Sequence, residues 1–474
     1  MFLGIDLGTS GVKALLIDDR QRALASVTEP LSISRPKDGW SEQAPADWVA
    51  ATDRAVSRLA AGHDLGRVAG IGLSGQMHGA VALDAAGEVI RPAILWNDSR
   101  AAAEAQALDA DPRFRAISGN IVFAGFTAPK LMWMARHEPD AFARVARVLL
   151  PKDYLRLWMT GDALAELSDA AGTSWLDVAA RDWSDALLAA SGMRRDQMAP
   201  VIEGSASAGR LRDTLAGRWG MGPGVVVAGG AGDNAATAIG AGTVAGGQGF
   251  VSLGTSGVIF AATDRFLPRP DSAVHAFCHA LPDRWHQMGV ILSASAALEW
   301  LAGITGTPAA ALTADLGPVT APGEALFLPY LSGERTPLND PSVRAGFSGL
   351  SARTDRAALT KAVLEGVSFA LADALNALRA SGSAPQALLA LGGGARSDYW
   401  LAVLANALDL PILRPAGGDY GAAFGAARLG LIAATGADPA EICTAPPIAA
   451  EIAPDPALRD AFAAALVRFR AARA

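Results

Sequence analysis

The sequence predicts an α/β protein made of two similar halves, and three observations point there. The stretch Leu7-Gly-Thr-Ser-Gly-Val12 recurs as Leu253-Gly-Thr-Ser-Gly-Val258. Each copy lies between apolar, β-branched runs, FLGID and VKALLID first, GFVSL and VIFAA second, which reads as strand, tight glycine-bearing turn, strand. A chain of 474 residues is too long for one compact core, and both halves mix strand-like with helix-like segments.

The elements follow in order. After the first hairpin, APADWVAATDRAVSRLAAG spaces apolar residues three and four apart and closes at Gly62, an amphipathic helix. From Gly66 to Asp98 short apolar runs alternate with turn signals such as DAAGE and read as strands. The strand Val225-Val-Val227 runs into AGGAGDNAA, where Asp233 and Asn234 open a helix beginning at Ala235. No linker marks the boundary, which we place near residue 240, giving domains 1–240 and 241–474. In the second half the repeated hairpin precedes a long helix, DRAALTKAVLEGVSFALADALNALRASG, ending at Gly382. Leu391-Gly-Gly-Gly-Ala-Arg-Ser-Asp398 then reads as strand, turn and a helix from Tyr399, and Gly417-Gly-Asp-Tyr-Gly421 repeats that grammar. Beyond Pro439 an Ala- and Pro-rich tail either finishes the second domain or packs back on the first.

Composition narrows the function. A net charge of −7 and a pI near 5.5 argue against a nucleic-acid surface, and no polybasic run offers a membrane patch. The charge-free stretch Asn234–Thr263 holds seven glycines and reads as packed turns and strands, not a membrane span. Two cysteines, Cys278 and Cys443, make no disulfide framework, and the N-terminus enters a strand with no signal-peptide pattern; a cytoplasmic protein is expected.

Four places could carry chemistry. In Gly4-Ile-Asp-Leu-Gly-Thr-Ser-Gly11 a bare turn lets backbone N–H groups and the hydroxyls of Thr9 and Ser10 approach phosphate oxygens, while Asp6 can hold Mg²⁺ and Lys13 adds a positive charge. An ordinary hairpin tip is the alternative. The second copy has Ser252 where the first has Asp6, so the pair suggests two clamps on one phosphate chain with the metal on the first. Asp233 is either a helix N-cap or a general base toward a bound hydroxyl, kept ionised by the helix N-terminus. The three glycines at 392–394 would let a flat ring or ribose lie against the backbone, or simply form a capped βα turn.

Together these motifs resemble the FGGY carbohydrate kinases, the sugar-kinase branch of the actin-like ATPase superfamily, over nearly the full chain. Within the family the closest resemblance is to the branch acting on D-xylulose, through Ser74-Gly-Gln-Met-His-Gly79, Pro92-Ala-Ile-Leu-Trp-Asn-Asp-Ser-Arg100, Gly125-Phe-Thr-Ala-Pro-Lys-Leu-Met-Trp133, Leu150-Pro-Lys-Asp-Tyr154 and Leu331-Ser-Gly-Glu-Arg-Thr-Pro337. The resemblance implies two ribonuclease-H-like domains with MgATP and the sugar between them. It makes Asp233 the general base and Asp6 the Mg²⁺ ligand. Thr9, Ser10, Gly11 and Lys13 would face the phosphates on one side, Gly254 and Thr255 on the other. Gly394 and Asp398 would line the adenosine pocket, and Met77, His78, Asp98, Asp233 and Asn234 would meet the sugar. A homodimer is a family expectation. The alternatives are a kinase for another ketopentose or polyol, such as D-ribulose or L-xylulose, and, more remotely, an actin- or Hsp70-like ATPase without a sugar.

Other patterns are set aside. Gly70-Ile-Gly-Leu-Ser-Gly75 matches GxGxxG but continues as strand, not helix, and the Walker pattern is absent. His275, Cys278, His279 and His286 suggest zinc, yet their segment reads as two strands around a Leu-Pro-Asp turn, which scatters them over both faces. Trp40, Trp48, Trp133 and Trp158 are read as core or rim residues.

Overall fold

The computed structural model describes residues 1–314, 316–418 and 420–473. Asp419 of the Gly417–Gly421 motif therefore lies outside the described residues. Two seven-stranded mixed sheets organise the chain.

The first sheet contains β1 (Phe2–Leu7), β2 (Gly11–Ile17), β3 (Ala23–Pro30), β4 (Gly70–Gly75), β5 (Ser207–Arg210), β6 (Val226–Ala228) and β7 (Ala231–Gly232). Its order is β5-β6-β4-β1-β2-β3, with β7 also pairing β4. The second contains β8 (Gly249–Leu253), β9 (Gly257–Thr263), β10 (His275–Cys278), β11 (Trp285–Ile291), β12 (Leu388–Leu391), β13 (Ile412–Pro415) and β14 (Ile448–Ile452), in the order β10-β11-β9-β8-β12-β13-β14. The centres of the two sheets match. In each, a hairpin strand pairs antiparallel with the next (β1 with β2, β8 with β9) and parallel with a later one (β1 with β4, β8 with β12). The repeated hexapeptide occupies the same turn in both.

Helices cover these sheets. The sequence-predicted helices are α1 (Pro45–Gly62) and, in the second half, α6 (Arg356–Ala380). Between them lie α2 (Thr127–His137), α3 (Pro151–Thr160), α4 (Asp233–Ala241) and α5 (Ser295–Thr305). After them come α7 (Asp398–Leu408), α8 (Ala422–Thr435) and α9 (Arg459–Ala472). Ser397 caps α7, accepting from the Trp400 N–H at 3.3 Å.

One helix crosses between the halves. α8 follows the second sheet in sequence but lies on the first, against β1, β4 and α4. Small residues on both sides allow this. A Cβ at Gly4 or Gly72 would strike the carbonyls of Ala423 or Ala426, and one at Gly425 would strike that of Ala236. The GxGxxG match is thereby explained: Gly70 and Gly72 sit on β4 and admit a helix backbone, not a pyrophosphate.

The C-terminal segment is divided. Cys443 packs with α4 and α8, whereas β14 extends the second sheet and α9 covers α6 and α7 with Phe462 and Phe469 buried. Segment 275–291 forms the two expected antiparallel strands, β10 and β11. Trp48 is fully buried and donates to Gln43 Oε1 at 2.9 Å, and Trp40 packs edge-on against the buried Trp133. Among the described residues no helix is long and apolar enough to cross a membrane.

Candidate active site

The two hairpin tips carry the first set of groups. The Gly8 N–H donates to the Gly11 carbonyl at 2.9 Å, closing the first tip, and Ser10 is exposed on it. At the second tip Thr255 is exposed, and the carbonyls of Gly254 and Thr255 accept from the N–H groups of Ser295 (2.8 Å) and Ala294 (2.9 Å), docking α5 there. Lys13 lies directly opposite Asp6 in the β1–β2 ladder, so the two side chains share a face. The Thr9 hydroxyl departs from expectation. It donates to Gln76 Oε1 (3.0 Å) and accepts from Trp96 Nε1 (2.9 Å), so it braces the tip instead of standing ready for a phosphate. Gln43 completes the brace by donating to the Thr9 carbonyl at 2.8 Å and accepting from Gln76 Nε2 at 3.0 Å.

Asp233 opens α4 as its first residue, with Gly232 in the capping position. The expected N-cap role and the helix start at Ala235 are therefore corrected. Its Oδ1 accepts from the Asn234 backbone N–H (2.7 Å) and from Asn234 Nδ2 (3.0 Å). Burial first, and the nearby Asp6 carboxylate second, raise Asp233 to about 6. The helix N-terminus thus does not hold it low, because desolvation and like charge outweigh the Asn234 contacts. The preceding backbone is fixed from behind. The Gly232 N–H donates to Ser168 Oγ (3.1 Å), which donates to Glu166 Oε2 (2.8 Å) beside fully buried Lys152, Asp153 and Asp169.

Met77 and His78 converge on the same region. The Met77 side chain lies against Gly232, where a Cβ would collide with it, and a Cβ at Gly172 would strike the His78 ring. His78 has φ 70°, and its carbonyl accepts from Thr127 Oγ1 (3.1 Å) and Lys130 Nζ (2.8 Å). Its ring stacks on Phe126 with centroids 4.4 Å apart. Nδ1 lies 2.7 Å from the Gly172 carbonyl, which can only accept, so Nδ1 carries the proton and Nε2 presents a lone pair. Burial drives His78 down to about 3, so the ring is neutral.

Asp98 does not join them as a ready sugar ligand. It is 3% exposed, and its carboxylate takes both arms of Arg100 (2.9 and 2.6 Å) and the N–H groups of Ser41 (2.6 Å) and Arg100 (2.9 Å). Its acceptor capacity is spent on the loop beneath Trp96, whose indole is 46% exposed.

A cleft of about 510 Å³ lies between the halves, lined by Thr237 of α4, Ser252, Gly392, Arg396, Arg414 and Tyr420 among others. Gly394 is not among the residues lining the cleft and is packed against Leu253 and Trp400. Asp398 pairs with Arg414 and faces a neighbouring hollow of about 530 Å³. Sequence reasoning missed Arg414, Gln76, Trp96 and Phe126 as site residues. Gln76, Trp96 and Phe126 stood inside quoted motifs, whereas Arg414 carries no local signal.

The chain is similar to known proteins over most of its length. Residues 1–240 match the N-terminal domain of the FGGY family of carbohydrate kinases, and residues 249–434 match its C-terminal domain. The xylulose kinase of Escherichia coli (strain K12) is 52% identical over 438 residues, 92% of this chain and 90% of that protein. A crystal structure described as a xyloylose kinase from Brucella ovis superposes with a TM-score of 0.98 at 59% identity, covering 99% of this chain and 98% of that one. The xylulose kinase of Rhodospirillum rubrum superposes at 0.92 with 28% identity, covering 99% and 98%. With both domain models matched in order and half the residues shared with a full-length relative, the chain belongs to the FGGY family of carbohydrate kinases.

Proposed function

We propose that this kinase transfers the γ-phosphoryl group of ATP to the terminal hydroxyl of D-xylulose, giving D-xylulose 5-phosphate and ADP. The observation that carries the reading is the position of Asp233, a carboxylate at the start of α4 near Asp6 and next in the chain to Gly232, against which Met77 packs. The 52% identity to xylulose kinases over most of the chain supports the choice of sugar.

Asp233 accepts the proton of the attacking hydroxyl. Met77 supplies an apolar wall, and His78 Nε2 accepts a hydrogen bond from a sugar hydroxyl. Asn234 is a further sugar contact in this reading, and Asp98 acts through the loop it holds. Ser10 and Thr255, with neighbouring amides, face the phosphates from the two tips. The cleft of about 510 Å³ suits the nucleoside.

The donor set also fits Mg²⁺. Two carboxylates, Asp6 and Asp233, lie close enough for one to raise the other, a field that a divalent cation offsets. Asp6 would hold the ion, which when bound neutralises phosphate charge. Phosphoryl transfer asks the protein mainly for positioning and charge neutralisation, and two clamps from two domains supply both.

The test is ADP release from MgATP with D-xylulose, beside D-ribulose, L-xylulose, glycerol and D-gluconate. Stimulation by D-xylulose well above the others is expected, with slow release when no sugar is present. Preference for another sugar would keep the kinase and replace the substrate. No stimulation by any would overturn the reading.

A further inference from the structure

Arg335 reaches the sugar end of the site from the second half of the chain. Its backbone is held tightly. The neighbouring Thr336 exchanges hydrogen bonds with Val290 of β11 (N–H to the Val290 carbonyl, 2.9 Å; Oγ1 accepting from its N–H, 3.0 Å) and donates to the Ala273 carbonyl at 2.8 Å. The Arg335 N–H donates to Glu334 Oε1 at 2.7 Å. From this anchor the guanidinium crosses to the first half and lies 4.7 Å over the ring of Phe123. Its Nη1 is 3.4 Å from His275 Nε2, which accepts. Phe123 packs on Phe126, and Phe126 is the platform under His78.

Among the described residues no carboxylate lies within ion-pair distance of the Arg335 side chain. An arginine stays charged; the neighbouring Glu334 carboxyl offsets part of the cost of its burial but accepts from backbone N–H groups, not from the guanidinium. An aromatic face and one neutral imidazole leave most of its five donors without a protein acceptor. That is the condition of a group whose acceptor arrives with a ligand.

We propose that Arg335 is a specificity residue, donating to the carbonyl oxygen of the ketose and so selecting ketopentoses over the matching polyols. The inference rests on the ketopentose reading given above. Asp233 engages the terminal hydroxyl, and the ketone of D-xylulose lies three carbons away from the phosphorylated carbon, on the far side of the sugar. A polyol of the same length places a tetrahedral carbon bearing a hydroxyl there, which is a poorer acceptor and alters the direction of approach.

The experiment compares wild type with Arg335→Met and Arg335→Lys, using D-xylulose and D-ribulose as ketoses and xylitol and D-arabinitol as polyols. A polyol turned over too slowly is read as a competitive inhibitor. Arg335→Met is expected to lower kcat/KM for both ketoses by roughly 10²-fold, the scale of a lost charged hydrogen bond. Polyol constants and the KM for ATP should stay within about threefold, and Arg335→Lys should recover part of the loss, because a point charge replaces the fork. A purely structural arginine would depress ketoses and polyols alike. An equal loss, or unchanged ketose constants, overturns the proposal while leaving the kinase standing. Wild type unresponsive to every sugar would instead remove the kinase reading, and this inference with it.

Discussion

At the scale of single residues the site is a set of groups whose surroundings fix their protonation and direction. Asp233 combines burial with a neighbouring carboxylate, the environment that raises a carboxyl toward the working range of a general base. Asp233→Ala should lower turnover by roughly 10²–10⁴-fold while equilibrium binding of ATP persists, because the proposed nucleotide cleft is lined by other residues. Near-normal turnover with ATP bound would remove Asp233 from the base role. Asp233 was legible as a carboxylate at a glycine-bared helix start. Its elevated affinity for a proton was not, since Asp6 is distant in sequence and only the parallel β1–β4–β7 arrangement brings them near. Thr9 teaches the same lesson from the other direction. Its residue type suits phosphate, but Gln76 and Trp96, far along the chain, claim its hydroxyl.

At the scale of elements α8 approaches both the first sheet and α4 backbone to backbone. Backbone meets backbone at Gly72 and Gly425, so a methyl group there has no room. Gly72→Ala should cost about 3 kcal/mol through overpacking, and lower the melting temperature by roughly 6–12 °C. Gly62→Ala, at the end of α1 where a Cβ would meet nothing within 4 Å, is the control and should melt near wild type. Equal melting of the two variants would contradict the tight seating of α8. The individual helices and hairpins were readable from periodicity and glycine placement. That α8 would leave its own sheet was not, because a stripe of small residues records a close approach without naming the partner.

At the scale of the whole molecule the two halves meet through a seam of aromatic and histidine rings. Phe123 and Phe126 of the first half meet His275 of the second with centroids 5.3 and 5.9 Å apart, within the second half His286 stacks on Phe260 at 4.5 Å, and all of His78, His275, His279 and His286 are held below the usual imidazole range by burial. A histidine depressed in the fold lends stability above pH 6.5 that is lost as the unfolded chain takes up its proton at lower pH. Glu334 and Glu365, raised to about 7 by burial, act in the opposite sense, as does Asp233. The acid response of the whole chain is therefore a difference, and one substitution isolates one component. Relative to wild type, His286→Phe should gain about 1.4 kcal/mol between pH 7.5 and 5.5, read from denaturant unfolding at both values. A pH-independent difference would show that His286 takes up its proton in the fold as readily as in the unfolded chain. The sequence by itself determined the duplication, the hairpin turns, the principal helices and the residue types of the proposed base and clamps, because strand and helix periodicity and glycine turns are local properties. Only the tertiary structure decided which of those groups remain available, how far Asp6 perturbs Asp233, where α8 docks and that Arg335 crosses to the sugar end. Those depend on desolvation and on contacts between residues far apart in the chain.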